Sequence, residues 1–439
     1  MTSHWAKKAS SPSTTSSHHI RDEPLVAPFA GWMVRPNWAE RVISRSYDNL
    51  TPAQRRNLIA TNPYSYMNVT RGPEVDLDST ADQEHQPPTD LIAHGRSALA
   101  RLLSVEAFVP SKRKALYLYR LNHSQGQQIG LVCTVAVAGF EDGRIRVHEN
   151  VHNERADLLK NHLLGVGATS SPVAMTIRSS DDLLDELQNI TSNKPAELEF
   201  GSDEVCHQIW TVPEARTKRL LNLLSERVLY VTDGHHRSAA ATRALEAEPH
   251  NPVLSRLLSV LFCDQQLHVQ AFHRLAVDQH NRHPQDCLTA LAAHTKVEPA
   301  TSPHTAQRGT AGTAGLYLAG NWYRLAIPPA TDTSAVSALD VERLRKHVLW
   351  PILGVDELNH LDAVEYLPAS AGYQEMTRKC DAEARIGFAL CPMSVSELID
   401  VADEGGLMPP KSSFFAPKPR SGVFLRMLGR GATAHLPAS

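Results

Sequence analysis

The stretch RVLYVTDGHHRSAAATRALEAE, residues 227–248, decides how this chain is read. Its opening, RVLYVT, is the short β-branched and aromatic run of a buried strand. From Ser238 onward it is Ala-rich and reads as a helix. The period changes at Asp233-Gly234-His235-His236-Arg237, so these five residues form a strand-to-helix turn. A glycine there lets the backbone turn tightly and bring its N–H groups toward an anion. The helix N-terminus behind it carries partial positive charge, which favours phosphate. Arg237 can fork onto phosphate oxygens, and His235 and His236 can donate hydrogen bonds or protons. Asp233 can hold a metal–water shell or orient a histidine. An ordinary capping turn with Asp233 as the cap would show the same local pattern. Adjacent histidines are poor partners for one metal, because consecutive side chains rarely converge.

Around this turn the chain reads as α/β material from 112 to 277. ALYLYRL (115–121) and GLVCTVAVAGF (130–140), separated by a polar turn, predict a hairpin. SPVAMTI (171–177) and LLSVLFC (257–263) are further strands. Upstream, LTPAQRRNLIATNP (50–63) predicts a helix capped by Thr51 with Pro52 at its first position. Residues 91–105 repeat apolar positions at helical spacing, and 72–90 reads as a loop. Downstream, 299–314 is low in complexity and reads as a loop or linker. From 331 to 398 the pattern is helical, with Ser394 as an N-cap. The division expected is a disordered tail over 1–22, a phosphate-binding core over 23–277, an insertion or linker over 278–330, and a helical region over 331–439 that returns to the site.

Two further motifs can carry chemistry. His148-Glu149-Asn150-Val151-His152 is formally H-E-x-x-H, in which two histidines one helical turn apart hold zinc and the glutamate polarises water. The motif follows a strand, GRIRV (143–147), so His148 falls at or before the helix start and would not share a face with His152. The more economical reading places His148 and Glu149 at a strand end facing the DGHHR turn, with Glu149 as general base or magnesium ligand. MPPKSSFFAPKP (408–419) carries Lys411 and Lys418 flanking two phenylalanines, which suits covering a phosphate or nucleobase. Taken alone, the same residues read more readily as a Pro-rich surface excursion with the Phe pair plugging the core. Arg35-Pro36 and Tyr47-Asp48 can contribute polar side chains or merely cap a helix. The histidines at 268, 273, 280 and 283 read as a solvated surface.

Composition removes several classes. The 439 residues carry 44 Lys+Arg against 47 Asp+Glu, a net charge of −3, which argues against a dedicated nucleic-acid binder. At 42% hydrophobic residues the chain can build cores. No apolar run approaches the roughly 18 residues of a membrane span. Residues 1–19 lack the apolar region of a secretory signal. Six cysteines without a C-x-x-C pair fit reduced thiols, so a cytoplasmic location is expected. No P-loop, G-x-G-x-x-G or G-x-S-x-G occurs.

Together, YVTDGHHR (230–237), VHEN (147–150) and MPPKSSFFAPKPRSG (408–422) resemble a widespread bacterial domain-of-unknown-function family, as do Tyr47-Asp48 and NPYSYMNVTR (62–71). The resemblance spans roughly residues 28–427. The DGHHR turn is similar in its turn to the Gly-x-His-Arg element of the ParB/sulfiredoxin-like superfamily, which includes free serine kinases. The resemblance implies an α/β (α+β) fold with a mixed core around the turn and an additional helical C-terminal part. It implies a nucleotide-phosphate site at Gly234–Arg237, with ATP or ADP and Mg²⁺, and phosphoryl transfer to or from a small hydroxy amino acid such as serine or phosphoserine. In that reading Glu149, His148, Asp233, His235 and His236 are catalytic. Gly234, His235, His236, Arg237, Lys411 and Lys418 bind phosphate or nucleotide, and Asp233 and Glu149 hold the metal. A non-catalytic nucleotide-binding regulator and a zinc hydrolase built on His148 and His152 are the alternatives.

Overall fold

The computed structural model describes residues 23–45, 50–70, 88–202, 204–357 and 363–429. Tyr47 and Asp48, the tail over 1–22 and most of the loop over 72–90 therefore lie outside the described residues. The chain divides into two compact units. One comprises 1–146, 151–266 and 417–439; the other comprises 147–150 and 267–416.

The first unit is built on a mixed sheet. Among the described residues its strands run, in spatial order, Ile145–Arg146, Leu229–Asp233, Val173–Ile177, Arg256–Cys263, Gly126–Ala136, Tyr117–His123, Val205–Thr211 and Leu198–Ser202. Val26–Ala27 pairs with the end of Gly126–Ala136. The predicted hairpin forms between Tyr117–His123 and Gly126–Ala136. Leu229–Asp233 lies parallel to Ile145–Arg146 and antiparallel to Val173–Ile177. Its first four residues are buried, as are all five of Val173–Ile177. Such strands, covered on both faces, read as continuous apolar runs rather than alternating ones. The helix His235–Ala247 packs against Asn153–Val166. Its buried face is Ser238, Ala239, Ala240, Ala241 and Ala244. Small side chains let the two backbones approach, and Arg243 fixes the pair by donating to the Asn153 carbonyl at 2.8 Å and pairing with Asp157 at 2.9 Å. A smaller sheet orders Phe108–Pro110, Trp32–Val34, Phe424–Met427 and Ala168–Thr169, so the C-terminal segment is woven into this unit.

The second unit contains a six-stranded antiparallel sheet in the order Val297–Ala300, Asn321–Ala326, Thr313–Leu318, Ile386–Leu390, Phe272–Ala276 and Val364–Pro368. Residues 299–314, expected as a loop, hold the end of one strand, a short capped helix Pro303–Ala306 and the start of another strand. The helical expectation from 331 onward is met by Asp340–Leu344, Gly372–Glu383 and Val395–Asp403, but two sheet strands interrupt it. Ser394 caps its helix with a reciprocal Glu397 bond, as Thr51 does with Gln54 in the first unit. His273, expected at the surface, is buried. Its Nδ1 accepts from the Leu390 amide at 3.3 Å, and burial, then Arg274, pushes its pKa down to about 4. All six cysteines are free.

Candidate functional site

In the first unit the strand Leu229–Asp233 runs directly into the turn. Gly234 has φ +101° and serves as N-cap of the helix His235–Ala247. That left-handed conformation suits glycine, and a Cβ here would lie 2.9 Å from the Arg237 guanidinium, which folds back over the turn. Asp233 precedes the cap rather than forming it. Its two oxygens are taken by two cations: Arg237 Nη2 donates to Oδ2 at 2.5 Å and Lys418 Nζ donates to Oδ1 at 2.5 Å. Arg237 also donates to the Pro172 carbonyl. Burial alone would raise the Asp233 carboxyl. Lys418 and Arg237 override it, with His235 adding to them, and hold it well below the usual carboxylate range. This arrangement corrects one expectation. With an ammonium and a guanidinium on its oxygens, Asp233 is a clamp that aims the two cations, and a magnesium ion does not fit on it while both stay in place.

The histidines divide by position. His235 is buried at the first helical residue. His236 is half-buried, its Nε2 accepts a hydrogen bond from the His152 amide at 3.2 Å, and its ring stacks on His152 at 5.8 Å. An accepting Nε2 carries no proton, which leaves Nδ1 as the donor of that imidazole. His152 is itself the N-cap of Asn153–Val166, and residues 147–152 are not helical. His148 and His152 therefore do not stand one helical turn apart, and the zinc arrangement read from H-E-x-x-H is not formed. His152 belongs with the DGHHR turn instead.

The C-terminal strap completes this unit. Lys418 is almost fully buried on Asp233. Two residues on, the Arg420 amide donates to the Tyr119 hydroxyl at 3.1 Å and its Nε donates to His207 Nε2 at 3.3 Å. Ser421 and Ser171 share a hydroxyl–hydroxyl bond of 2.6 Å, and the Gly422 amide donates to Ser170 Oγ at 2.7 Å. His207 is a core residue, stacked on Phe200 at 4.8 Å and bonded to Tyr119 at 2.9 Å; burial, then Arg420, pushes its pKa down to about 3.

The second unit holds the remaining candidates. His148 is fully buried and its carbonyl accepts from the Met408 amide at 2.8 Å, while Glu149 bridges Met408 in parallel fashion. Lys411 is exposed, takes a left-handed φ of +53°, and holds its ammonium 5.6 Å from the Phe272 ring centre. Phe414 packs edge-on against Phe272, and Phe415 is buried. Sequence reasoning missed the residue that shapes this loop. Arg274, fully buried, pairs with buried Glu357 at 3.2 Å and donates to the carbonyls of Lys411 and Pro410 at 2.9 and 3.1 Å. A lone arginine in a strand pattern gives no signal of this.

A family model described as "Protein of unknown function (DUF1015)" matches residues 26–342. A search of curated proteins gives no match. Among solved structures, the chain is similar to a free serine kinase in complex with AMP, at 13% identity and a TM-score of 0.34, covering 65% of this chain and 87% of that one. It is similar to a conserved hypothetical protein from Pyrococcus furiosus at 14% identity and a TM-score of 0.32, covering 66% and 91%. A third likeness is to SbnI with a C-terminal truncation from Staphylococcus aureus, at 12% identity and a TM-score of 0.34, covering 66% and 85%. No helix among the described residues is long and apolar enough to cross a membrane. With the family model matching from Val26 into the second unit, the chain belongs to the DUF1015 family.

Proposed function

We propose that this protein is a nucleotide-dependent phosphotransferase acting on a small hydroxy amino acid, serine or phosphoserine, with the direction of transfer open. One observation carries the reading: a left-handed glycine at a helix N-terminus, with Arg237 and Lys418 fixed beside it by one largely buried carboxylate. Phosphoryl transfer asks for positioning and charge neutralisation more than for a covalent group. Preset cations and helix N–H groups supply both for a phosphate of ATP or ADP. His235 and His236 act as donors to phosphate oxygens, His236 through Nδ1.

Glu149 takes the hydroxyl proton of the acceptor in this reading. It lies in a four-residue segment joining Arg146 and Val151, both in the unit that carries the turn. Mg²⁺ is a hard cation that suits Glu149 and phosphate oxygens, and when bound it supplies charge neutralisation on the phosphoryl group. The test is phosphorus NMR of purified protein with ATP, Mg²⁺ and serine, and with ADP, Mg²⁺ and phosphoserine. Transfer in either direction supports the proposal. A nucleotide-binding regulator is the second reading, and intact nucleotide binding with no transfer in any mixture would select it.

A further inference from the structure

The C-terminal strap carries two cations in its PKPRSG run, and they are treated differently. Lys418 shares the Asp233 carboxylate with Arg237. Arg420 has no such partner. Its guanidinium is largely withdrawn from solvent, its Nε donates to a neutral imidazole, His207 Nε2, and no carboxylate among the described residues pairs with it. Ser44 and Ser421 form an antiparallel bridge, their amides and carbonyls bonded at 2.9 and 3.2 Å, which sets Arg45 opposite Arg420, and the like charge of Arg45 acts on the Arg420 guanidinium. Charged groups taken out of water are normally matched by an opposite charge, because desolvation costs several kcal/mol per ion otherwise. Two arginines brought together around an uncompensated, half-buried guanidinium form the pattern of an oxyanion site, since a guanidinium presents parallel N–H groups to carboxylate or phosphate. His207 and Tyr119 fix the Nε edge and the backbone of Arg420, so the remaining N–H groups are presented in a fixed orientation.

We propose that Arg420, with Arg45, forms an anion-binding site that takes the phosphate or carboxylate group of a small molecule. It is separate from the Asp233 clamp in its residues, and it stands whether or not the phosphotransferase reading does. Phosphate and carboxylate offer the same oxyanion chemistry to the pair.

The test uses the full chain in low-salt buffer, where screening is weak. Isotope-edited NMR of the His207 ring, bonded to Arg420, reports the site while the protein is titrated with inorganic phosphate or, separately, acetate. A saturable His207 response to phosphate alone assigns the site to phosphate groups. A response to acetate as well assigns it to oxyanions generally. Arg420→Gln is expected to weaken the response about tenfold or more, as loss of a charge-assisted bond does. Arg45→Gln weakens it less, and Arg237→Gln leaves it unchanged. Should Arg420→Gln fail to fold, Arg420→Lys, which keeps the charge and loses the fork, is expected to bind more weakly than the native chain. No His207 response to either anion, or a response abolished by Arg237→Gln and untouched in Arg420→Gln and Arg420→Lys, overturns the proposal. Nucleotide turnover is measured apart from this, so failure of the anion site and failure of the phosphotransferase reading are separate results.

Discussion

Lys418 donates a 2.5 Å hydrogen bond to Asp233 across 185 residues of chain, and that contact ties the C-terminal strap to the DGHHR turn. Lys418→Met removes one of two cations from a largely buried carboxylate. Breaking a buried pair costs about 3–5 kcal/mol; with Arg237 still in place, a loss of roughly 2–3 kcal/mol is expected. Urea unfolding of K418M, D233N and the double variant measures it, and a coupling below about 0.5 kcal/mol in that cycle would contradict the clamp.

Acid should weaken the same clamp. The folded Asp233 carboxyl lies below its unfolded value of 3.8, so its contribution is fully present above the ordinary aspartate range and is lost as pH falls through the depressed folded value. The stability difference between the native chain and Asp233→Asn is therefore expected to be constant from neutrality down to about pH 5 and to shrink at lower pH. A difference that grows on acidification contradicts the assignment.

Gly234→Ala places a side chain at φ +101° and 2.9 Å from the Arg237 guanidinium. A strained backbone of this kind costs about 1–3 kcal/mol, and the guanidinium must also move. Thermal unfolding should show the loss, together with weakened nucleotide binding. Unchanged binding would show that Arg237 does not need its present position.

Arg274→Met leaves Glu357 buried without its cation, and the Pro410 and Lys411 carbonyls without their donor. A destabilisation of about 3–5 kcal/mol is expected. Cleavage by a lysine-specific protease at Lys411 should accelerate in native buffer, because the loop loses its anchor. Native-like resistance there would argue that other contacts hold the loop.

Local rules made much of this legible. The strand–Gly–helix turn, the hairpin at 117–136 and the caps at Thr51 and Ser394 each follow from neighbouring residues, so the sequence pattern reports them. Strands 297–300 and 313–318 did not announce themselves, because Pro299 and Ala300 in the one, and Thr313 and Ala314 in the other, belong to a low-complexity run that looks like loop until tertiary pairing recruits it. Asp233 stood out in the turn motif but not as a clamp, since its partner Lys418 lies 185 residues along the chain. Arg274 and Glu357, 83 residues apart, were invisible for the same reason.

The most direct measurement is phosphate exchange by purified native protein and by Arg237→Gln, with ATP or ADP, Mg²⁺ and serine or phosphoserine, followed by phosphorus NMR. Transfer is expected in at least one combination, reduced about a hundredfold or more in Arg237→Gln, as follows when a donor to a transferring group is removed. No transfer in any combination by native protein that still binds nucleotide would contradict the phosphotransferase reading.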